Sequence, residues 1–315
     1  MAGGKWYTDD THRAEKSHRG FPYMNNPDAT PRTKALYSMI RSLSGEKILL
    51  GQQESPRTIL ADREIDWIYA VTGEMPAIRG MDFIHDDFPG VVERAKAWNG
   101  KGGIVTVCWH TGVDGNDYMA SKEENPDWEK LLTPGTKENG QLLRRWEDAA
   151  KALLKLQEAD IPVLWRPFHE FDGQWFWWGR GGGEPFRALW RAMYRRFTDE
   201  YGLNNLIWVL GYADDVRDGW DPGAEYYDIA GSDTYRGETT HAAAFRKLRE
   251  FIPDKPLALH ECGLIPPPEA FFADGCPWSW LMPWHGRWLM DNHPDRIREA
   301  YQNERMLPLS RLEAF

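Results

Sequence analysis

This chain of 315 residues has few cysteines and no long apolar run. Its three cysteines are Cys108, Cys262 and Cys276, and so small and odd a number argues against a disulfide framework. No run of about 18 apolar residues occurs, so a transmembrane helix is not expected. The first residues lack the apolar core of a signal peptide. We therefore expect either a secreted or periplasmic protein whose leader has been removed, or a cytoplasmic protein.

A positive net charge, a metal-binding spacing and a phosphate-binding loop are missing too. The formal net charge of −10 argues against nucleic acid and anionic membranes as partners. The cysteines form no CxxC pair, and His169-Glu170 lacks the second histidine of an HExxH zinc motif. The glycine-rich residues 179–183 follow an aromatic loop rather than a strand, so we interpret them as a loop tip. No metal or nucleotide cofactor is therefore expected.

Aromatic residues, by contrast, are abundant. The chain has 17 Trp and 12 Tyr, and a large core is the simplest explanation for them. Several tryptophans nevertheless lie beside polar loops, above all in the run Trp175-Phe176-Trp177-Trp178. Sugar rings stack on aromatic surfaces of this kind. The composition therefore favours a carbohydrate-binding surface over a large core alone.

Patterns of buried strands and amphipathic helices alternate along the chain. Thr30-Pro31 is typical of a helix start, and apolar residues from Phe186 to Phe197 recur at helical spacing. Candidate strands lie at residues 47–52, 75–83, 103–110, 162–170, 205–211, 226–235, 256–263 and 277–285. Eight such units predict an α/β fold of the (β/α)8, or TIM, barrel type. An open doubly wound sheet is the alternative, but no phosphate loop follows the first strand.

The chain is expected to form a single domain, because no linker divides it. Residues 1–30 are predicted to be an N-terminal arm, and residues 31–315 the barrel domain that carries the chemistry. The residues from Pro308 onward are expected either to pack on the barrel or to be loose.

Two glutamates close apolar, strand-like segments. Glu170 ends the run that begins at Pro162, and Glu261 ends the run that begins at Pro256. A carboxylate is costly to bury, so each needs a reason. In a barrel the chemistry lies at the carboxyl ends of the strands, where two distant glutamates can face each other. Such a pair predicts glycoside hydrolysis, and a carboxyl separation of about 5–5.5 Å would predict retention of configuration.

The motif Trp165-Arg-Pro-Phe-His-Glu170, the Trp-Phe-Trp-Trp-Gly run at 175–179 and the second glutamate closely resemble glycoside hydrolase family 26. The resemblance extends roughly from Leu50 to Trp288 and is strongest from Trp165 to Gly211. That family consists mostly of β-mannanases on a (β/α)8 barrel. The resemblance therefore implies a retaining endo-β-1,4-mannanase.

The resemblance also implies catalytic roles. Glu170 would be the general acid/base, Glu261 the nucleophile, and Tyr235 a hydrogen-bond donor to that nucleophile. His169 corresponds to the family's histidine beside the acid. Arg166 precedes Glu170 by four residues, so on a strand both side chains would face the same way, where a guanidinium could keep a carboxylate ionised. A buried ion pair within the barrel is the alternative for Arg166.

Five further residues are candidates for substrate binding. By resemblance, Trp284 and His110 would belong to the −1 sugar subsite and Trp175 to the +1 subsite. Trp178 is a candidate from the same aromatic run, with core packing as the alternative for every tryptophan. Asp82, near the end of the second strand, could bind a sugar hydroxyl or cap a loop. The ends of the second and eighth strands depart from the family's pattern, which weakens the preference for mannan over other β-glucans or xylans.

The expected partner is thus a β-mannan or a related polysaccharide, and the expected state is a monomer without a cofactor. Alternatives within the class are a relative that acts on mixed-linkage β-glucan or β-1,3-xylan, and an exo-acting mannobiohydrolase. A non-catalytic glycan-binding protein is the alternative from another class. The presence of both glutamates and the tyrosine disfavours it.

Overall fold

Eight parallel strands close into a barrel within the described part of the chain. The structure is a computed structural model that describes residues 24–56 and 58–315. The barrel strands are β1 (Ile48–Gln53), β2 (Ile78–Asp82), β3 (Ile104–Cys108), β4 (Val163–Arg166), β5 (Leu206–Tyr212), β6 (Ile229–Thr234), β7 (Leu257–Cys262) and β8 (Trp280–Pro283). They pair in chain order, and β1 closes the ring by pairing with both β2 and β8. The predicted (β/α)8 barrel is confirmed.

Helices occupy the connections between the strands. They are α1 (Pro31–Leu43), α2 (Arg63–Thr72), α3 (Phe88–Gly100), α4 (Tyr118–Glu123), α5 (Trp128–Leu131), α6 (Lys137–Glu158), α7 (Trp177–Arg180), α8 (Gly183–Arg195), α9 (Ala242–Phe251), α10 (Pro268–Ala273), α11 (Arg287–Met290) and α12 (Pro294–Gln302). None of the described helices is both long enough and apolar enough to cross a membrane.

The observed strands overlap the predicted ones but end differently. The largest difference is β4, which ends at Arg166, four residues before the end of the predicted strand. A short ninth strand, β9 (Met306–Leu307), pairs in parallel with β1 and is not among the predicted strands. The Leu309 N–H then donates to the carbonyl of Met75 at 2.8 Å. The chain end therefore packs on the barrel, which decides between the two possibilities for it.

Alternating side chains divide the barrel's apolar residues into an inner and an outer layer. Leu49 lies in the inner layer, whereas its neighbours Ile48 and Leu50 lie in the outer layer, against the helices. This alternation follows from the pleat of a strand, whose successive side chains point to opposite faces. Leu36 and Ile40 of α1 belong to the inner layer.

Helix α1 closes the amino end of the barrel. It begins where predicted, because the Thr30 side chain accepts a hydrogen bond from the N–H of Thr33 and a proline follows Thr30. The hydroxyl groups of Ser44 and Ser279 are 2.7 Å apart, which ties the end of α1 to the start of β8. The amino end of the barrel is therefore apolar and closed, and polar side chains lie at the carboxyl end. Residues 1–23 of the predicted arm lie outside the described residues.

Candidate active site

A cavity of about 470 Å³ opens at the carboxyl end of the barrel. It is built by the segments that follow β3, β4 and β6, by the end of β7 and by the segment after β8. Its lining residues are His110, Tyr118, Lys122, Glu170, Trp175, Phe176, Tyr235, Glu261, Trp284 and Trp288. The cavity thus combines aromatic walls with the two glutamates that the sequence singles out.

Glu170 reaches the cavity on a turn rather than on a strand. After β4 ends at Arg166, Phe168 and Glu170 take left-handed φ values of 50° and 54°. Such values are uncommon for residues other than glycine and mark a constrained turn. The N–H of Glu170 donates to the carbonyl of Gly211 on β5 at 2.7 Å, which anchors the turn. Strand alternation is therefore the wrong reason for expecting Arg166 and Glu170 at one site, although both are found there.

An irregularity at the end of β7 accompanies the placement of Glu261. Ala258 lies in the inner layer and Leu259 in the outer layer, as regular alternation requires. The pairing of β7 with both neighbouring strands then shifts register between Leu259 and Cys262, and Glu261 pairs opposite Asp233. Bulges of this kind re-aim side chains and are frequent beside active sites.

Two donors hold the carboxylate of Glu261. Arg166 Nη1 lies 2.5 Å from Oε1, and the Tyr235 hydroxyl donates to Oε2 at 2.7 Å. Although burial disfavours a cation at Arg166, the negative charge of Glu261 and its neighbours raises the pKa of Arg166, which stays charged. Burial, and then the charge of Glu261, raises the pKa of Tyr235 well above its ordinary value, so its phenol keeps the proton of this bond.

Glu170 lies in surroundings that favour its protonated form. Burial, and then the negative charge of Glu261, raises the pKa of Glu170 to about 8. The indole N–H of Trp175 donates to Oε2 of Glu170 at 2.8 Å and opposes this rise. Carboxyl oxygens of Glu170 and Glu261 lie within 4.8 Å of each other. Two carboxyl groups this close, in such unequal surroundings, can divide into an acid and an ionised partner.

A third carboxyl group, that of Asp233, lies beside the two glutamates. One of its oxygens is within 4.8 Å of theirs, and Oδ2 is 3.9 Å from Arg166 Nη1. Its Oδ1 is hydrogen-bonded to Nδ1 of His260, which is fully buried. Glycines leave room for that ring, since a Cβ on Gly211 or Gly231 would come within 3.0 Å of it. Two of the three carboxyl groups, those of Glu261 and Asp233, therefore lie against one guanidinium.

Asp82 supports His110 instead of facing the cavity. Its Oδ2 lies 2.6 Å from His110 Nδ1, while Oδ1 accepts from the backbone N–H groups of His110 and Ile84. Burial disfavours a charged imidazole, but the carboxylate of Asp82 outweighs it and raises the pKa of His110. Asp82 is buried and does not line the cavity. Of the two roles left open for Asp82, the bond from the Ile84 N–H fits the capping of a loop, and the same carboxylate orients His110.

His169 lies closer to the nucleophile candidate than its place beside Glu170 in the sequence suggests. Its side chain is buried, and Nε2 is 3.5 Å from Oε1 of Glu261. Burial, and then the charge of Arg166, lowers the pKa of His169 well below its ordinary value, so the imidazole is neutral. Its ring packs edge-on against His110 with centroids 4.7 Å apart.

The tryptophans expected to bind substrate fall into two groups. Trp175, 37% exposed, and Trp284 line the cavity. Trp178 is fully buried, its indole N–H donates to the carbonyl of His169 at 2.8 Å, and its ring stacks on Phe176. Trp178 therefore supports the cavity wall from behind, and we revise its expected contact with substrate.

Three cavity residues are missing from the sequence expectations. Tyr118 and Lys122 lie on α4, inside the long connection between β3 and β4, and the Lys122 ammonium lies 5.5 Å from the centre of the Tyr118 ring. Trp288 packs against Tyr235 with ring centroids 4.6 Å apart. The aspartate- and glycine-rich stretch before Tyr118 indicates a loop, but not the direction in which that loop folds.

Two groups of side chains in the described chain are close enough to share a cation. In the first, Glu170, Asp233 and Glu261, the guanidinium of Arg166 already supplies positive charge. In the second, Asp82, Cys108 and His110, both carboxylate oxygens of Asp82 already accept hydrogen bonds. Each group thus already has positive charge or hydrogen-bond donors of the protein beside a carboxylate.

A (β/α)8 barrel with two unequal glutamates and aromatic walls at the carboxyl ends of its strands has the construction of a glycoside hydrolase. Residues 25–304 match the family model of glycosyl hydrolase family 26. The match covers most of the chain, and this chain therefore belongs to glycosyl hydrolase family 26.

Similar known proteins bear mannanase names. A mannan endo-1,4-beta-mannosidase of Thermothelomyces thermophilus is 31% identical over 93% of this chain and 64% of its own length. The crystal structure of a Podospora anserina GH26-CBM35 beta-(1,4)-mannanase has a TM-score of 0.84 at 32% identity, covering 94% of this chain and 70% of that one. A beta-mannanase from a symbiotic protist of the termite Reticulitermes speratus, complexed with gluco-manno-oligosaccharide, has a TM-score of 0.84 at 27% identity, covering 93% and 98%. The chain spans 51–64% of the length of three curated relatives.

Proposed function

We propose that this protein is a retaining endo-β-1,4-mannanase that cleaves mannan or galactomannan by double displacement. One observation carries the proposal: carboxyl oxygens of Glu170 and Glu261 lie within 4.8 Å of each other across the cavity. Retaining glycosidases place their carboxyl groups about 5–5.5 Å apart, whereas inverting enzymes need a wider gap of about 6.5–9.5 Å for a water molecule. The short separation favours direct attack by one glutamate.

In the first step Glu261 attacks the anomeric carbon, and Glu170 gives its proton to the departing glycosidic oxygen. The raised pKa of Glu170 keeps this proton in place near neutral pH. Arg166 and Tyr235 supply the positive charge and the hydrogen bond that keep Glu261 ionised before attack. The C–O bond of the substrate breaks as the bond between the sugar and Glu261 forms.

In the second step water enters on the side of Glu170, which is now ionised and removes a proton from it. The resulting hydroxide equivalent displaces Glu261 from the anomeric carbon, and both glutamates return to their starting states. The second displacement restores the original configuration. Glu170 must therefore act as an acid and then as a base within one cycle.

Mannan is the proposed substrate class because several relatives carry that polymer in their names. The termite protist enzyme was solved with a gluco-manno-oligosaccharide, so a backbone that contains glucose is a further candidate for this cleft. Trp175 and Trp284 line it together with the two glutamates, and sugar rings can stack on their indoles. A neutral polymer also suits a chain with a net charge of −10.

Release of reducing ends from linear mannan, galactomannan, lichenan and β-1,3-xylan tests the proposal. The wild type is compared with Glu261→Ala and with the control Glu269→Ala. Glu269 lies on α10, after β7, and its side chain is 67% exposed. We expect release from the two mannans by the wild type and the control, and none by Glu261→Ala. Proton NMR of the first product should show the β-anomer, and the viscosity of galactomannan should fall early in the reaction.

Other outcomes would point elsewhere. An α-anomer as the first product would contradict retention. Release from lichenan or β-1,3-xylan alone would replace the substrate, and mannobiose release without an early fall in viscosity would indicate an exo-acting enzyme. Binding of mannan without any release would indicate a glycan-binding protein.

A further inference from the structure

Among the three described tryptophans that line the cavity, Trp175 alone is hydrogen-bonded to a glutamate. Its side chain is 37% exposed, which is more than that of any other tryptophan in the described part of the chain. Despite that exposure its indole N–H donates to Oε2 of Glu170 at 2.8 Å. A side chain that served only as a stacking platform would not require this hydrogen bond.

The backbone between the two residues is shaped to bring the indole over Glu170. Gln174 takes a left-handed φ of 63°, and Glu170 takes one of 54°. Gly173 lies directly against the indole, since a Cβ at this position would be 2.1 Å from the ring. Only a residue without a side chain lets the ring sit so close to the backbone. The Arg180 guanidinium also donates to the carbonyl of Trp175 at 3.3 Å, which holds the end of the loop.

We propose that Trp175 is a positioning residue for Glu170: its indole N–H holds Oε2 and so orients the carboxyl group for proton transfer with the substrate. This inference rests on the proposed acid/base role of Glu170 and adds a function to Trp175 beyond that of a sugar-stacking surface. The donor stabilises the ionised carboxylate that the second step needs, against the effect of burial and of Glu261.

The test is a direct titration of Glu170, which needs no substrate. The Glu170 carboxyl carbon is followed by 13C NMR in protein labelled at glutamate, and its signal is assigned by its loss in Glu170→Gln. Trp175→Phe keeps an aromatic ring but removes the donor, and we expect the midpoint of Glu170 to rise by about one pH unit. Trp284→Phe is the matched control, which alters another tryptophan of the cavity and should leave the midpoint in place.

Gly173→Ala is an independent second variant. It keeps the indole of Trp175 but displaces the ring from its position against residue 173, so the titration midpoint of Glu170 should again rise. If the midpoint in Trp175→Phe equals that of the wild type, or moves equally in Trp284→Phe, the inference is overturned.

Kinetics separate the new inference from the proposed function. On mannan oligosaccharides Trp175→Phe should shift the alkaline limb of the kcat/KM–pH profile to higher pH. Loss of stacking alone would raise KM and leave the pH of that limb unchanged. A wild type that is inactive on every glycan would refute the proposed function, and the NMR titration would still decide the role of Trp175.

Discussion

The two glutamates of the cavity have the same chemical group but occupy opposite surroundings. Glu261 is held by a guanidinium and a phenol, both aimed at its oxygens. Glu170 has an indole N–H as its donor, and aromatic walls and the charge of Glu261 surround it. The roles proposed for the two glutamates therefore rest on the donors around each carboxyl group and not on the residue type.

The supports of the two glutamates differ as well. Glu261 lies near the end of β7, beside a shift in strand register, and its two donors come from β4 and from the residue after β6. Glu170 lies on a turn with unusual backbone angles, and its N–H is anchored to β5. A rigid strand suits a nucleophile that must meet one carbon atom. A group that transfers protons in two steps depends more on its local electrostatics.

The largest expected effect comes from removing each glutamate in turn. Glu261→Ala should lower kcat by about 10⁴-fold or more, and Glu170→Ala by about 10²–10⁴-fold on mannan. On an aryl β-mannoside with a good leaving group Glu170→Ala should keep its first step, because that departure needs no acid. Added azide should give the β-azide with Glu170→Ala and the α-azide with Glu261→Ala. The reverse pair of products would exchange the two roles.

The second effect concerns the guanidinium between the buried carboxyl groups. Arg166→Met leaves Glu261 without its cation in a buried site, which should lower the free energy of unfolding by about 3–5 kcal/mol. Urea unfolding measures the change, and Arg166→Met combined with Glu261→Gln should recover part of it. Arg298→Met, which breaks an exposed ion pair with Asp295, is the control and should cost about 1 kcal/mol or less. Equal losses in the two single variants would contradict a buried, coupled pair.

The two tryptophan positions should separate stability from binding. Trp178→Ala removes a fully buried side chain and should destabilise the fold by about 3–5 kcal/mol. Trp284→Ala removes part of the cavity wall and should raise KM about fivefold with little change in Tm, since aromatic contact is worth about 1 kcal/mol. Thermal unfolding and mannan kinetics on both variants check this. A large KM effect from Trp178→Ala at unchanged Tm would return that residue to the substrate-binding surface.

The smallest expected effect is a shift in the titration of Glu170. Removing the negative charge of its neighbour in Glu261→Gln should lower the pKa of Glu170 from about 8, by about one unit. The sign follows because a nearby anion disfavours ionisation, so its removal makes ionisation easier. The same 13C titration measures it, and the direction is opposite to that expected for Trp175→Phe. An unchanged midpoint would mean that burial alone raises the pKa.

Sequence patterns predicted the barrel and the pairing of Glu170 with Glu261, because both rest on local signals. Apolar strands alternate with helical faces, and a glutamate at the end of a buried run is conspicuous wherever it occurs. Tyr235 and Arg166 could also be named, the first by family resemblance and the second by its place before Glu170. The structure finds both at Glu261, at 2.7 Å and 2.5 Å.

The tertiary structure alone decided which side chains face the cavity and which donors surround each glutamate. Trp175 and Trp178 are three residues apart in one aromatic run, yet one lines the cavity and the other is fully buried. For Asp82 the sequence left sugar binding and loop capping open, and the structure shows its oxygens bonded to His110 and to the Ile84 N–H. Exposure, hydrogen-bond partners and pKa depend on atoms brought together from distant strands, and no local pattern in the chain contains those distances.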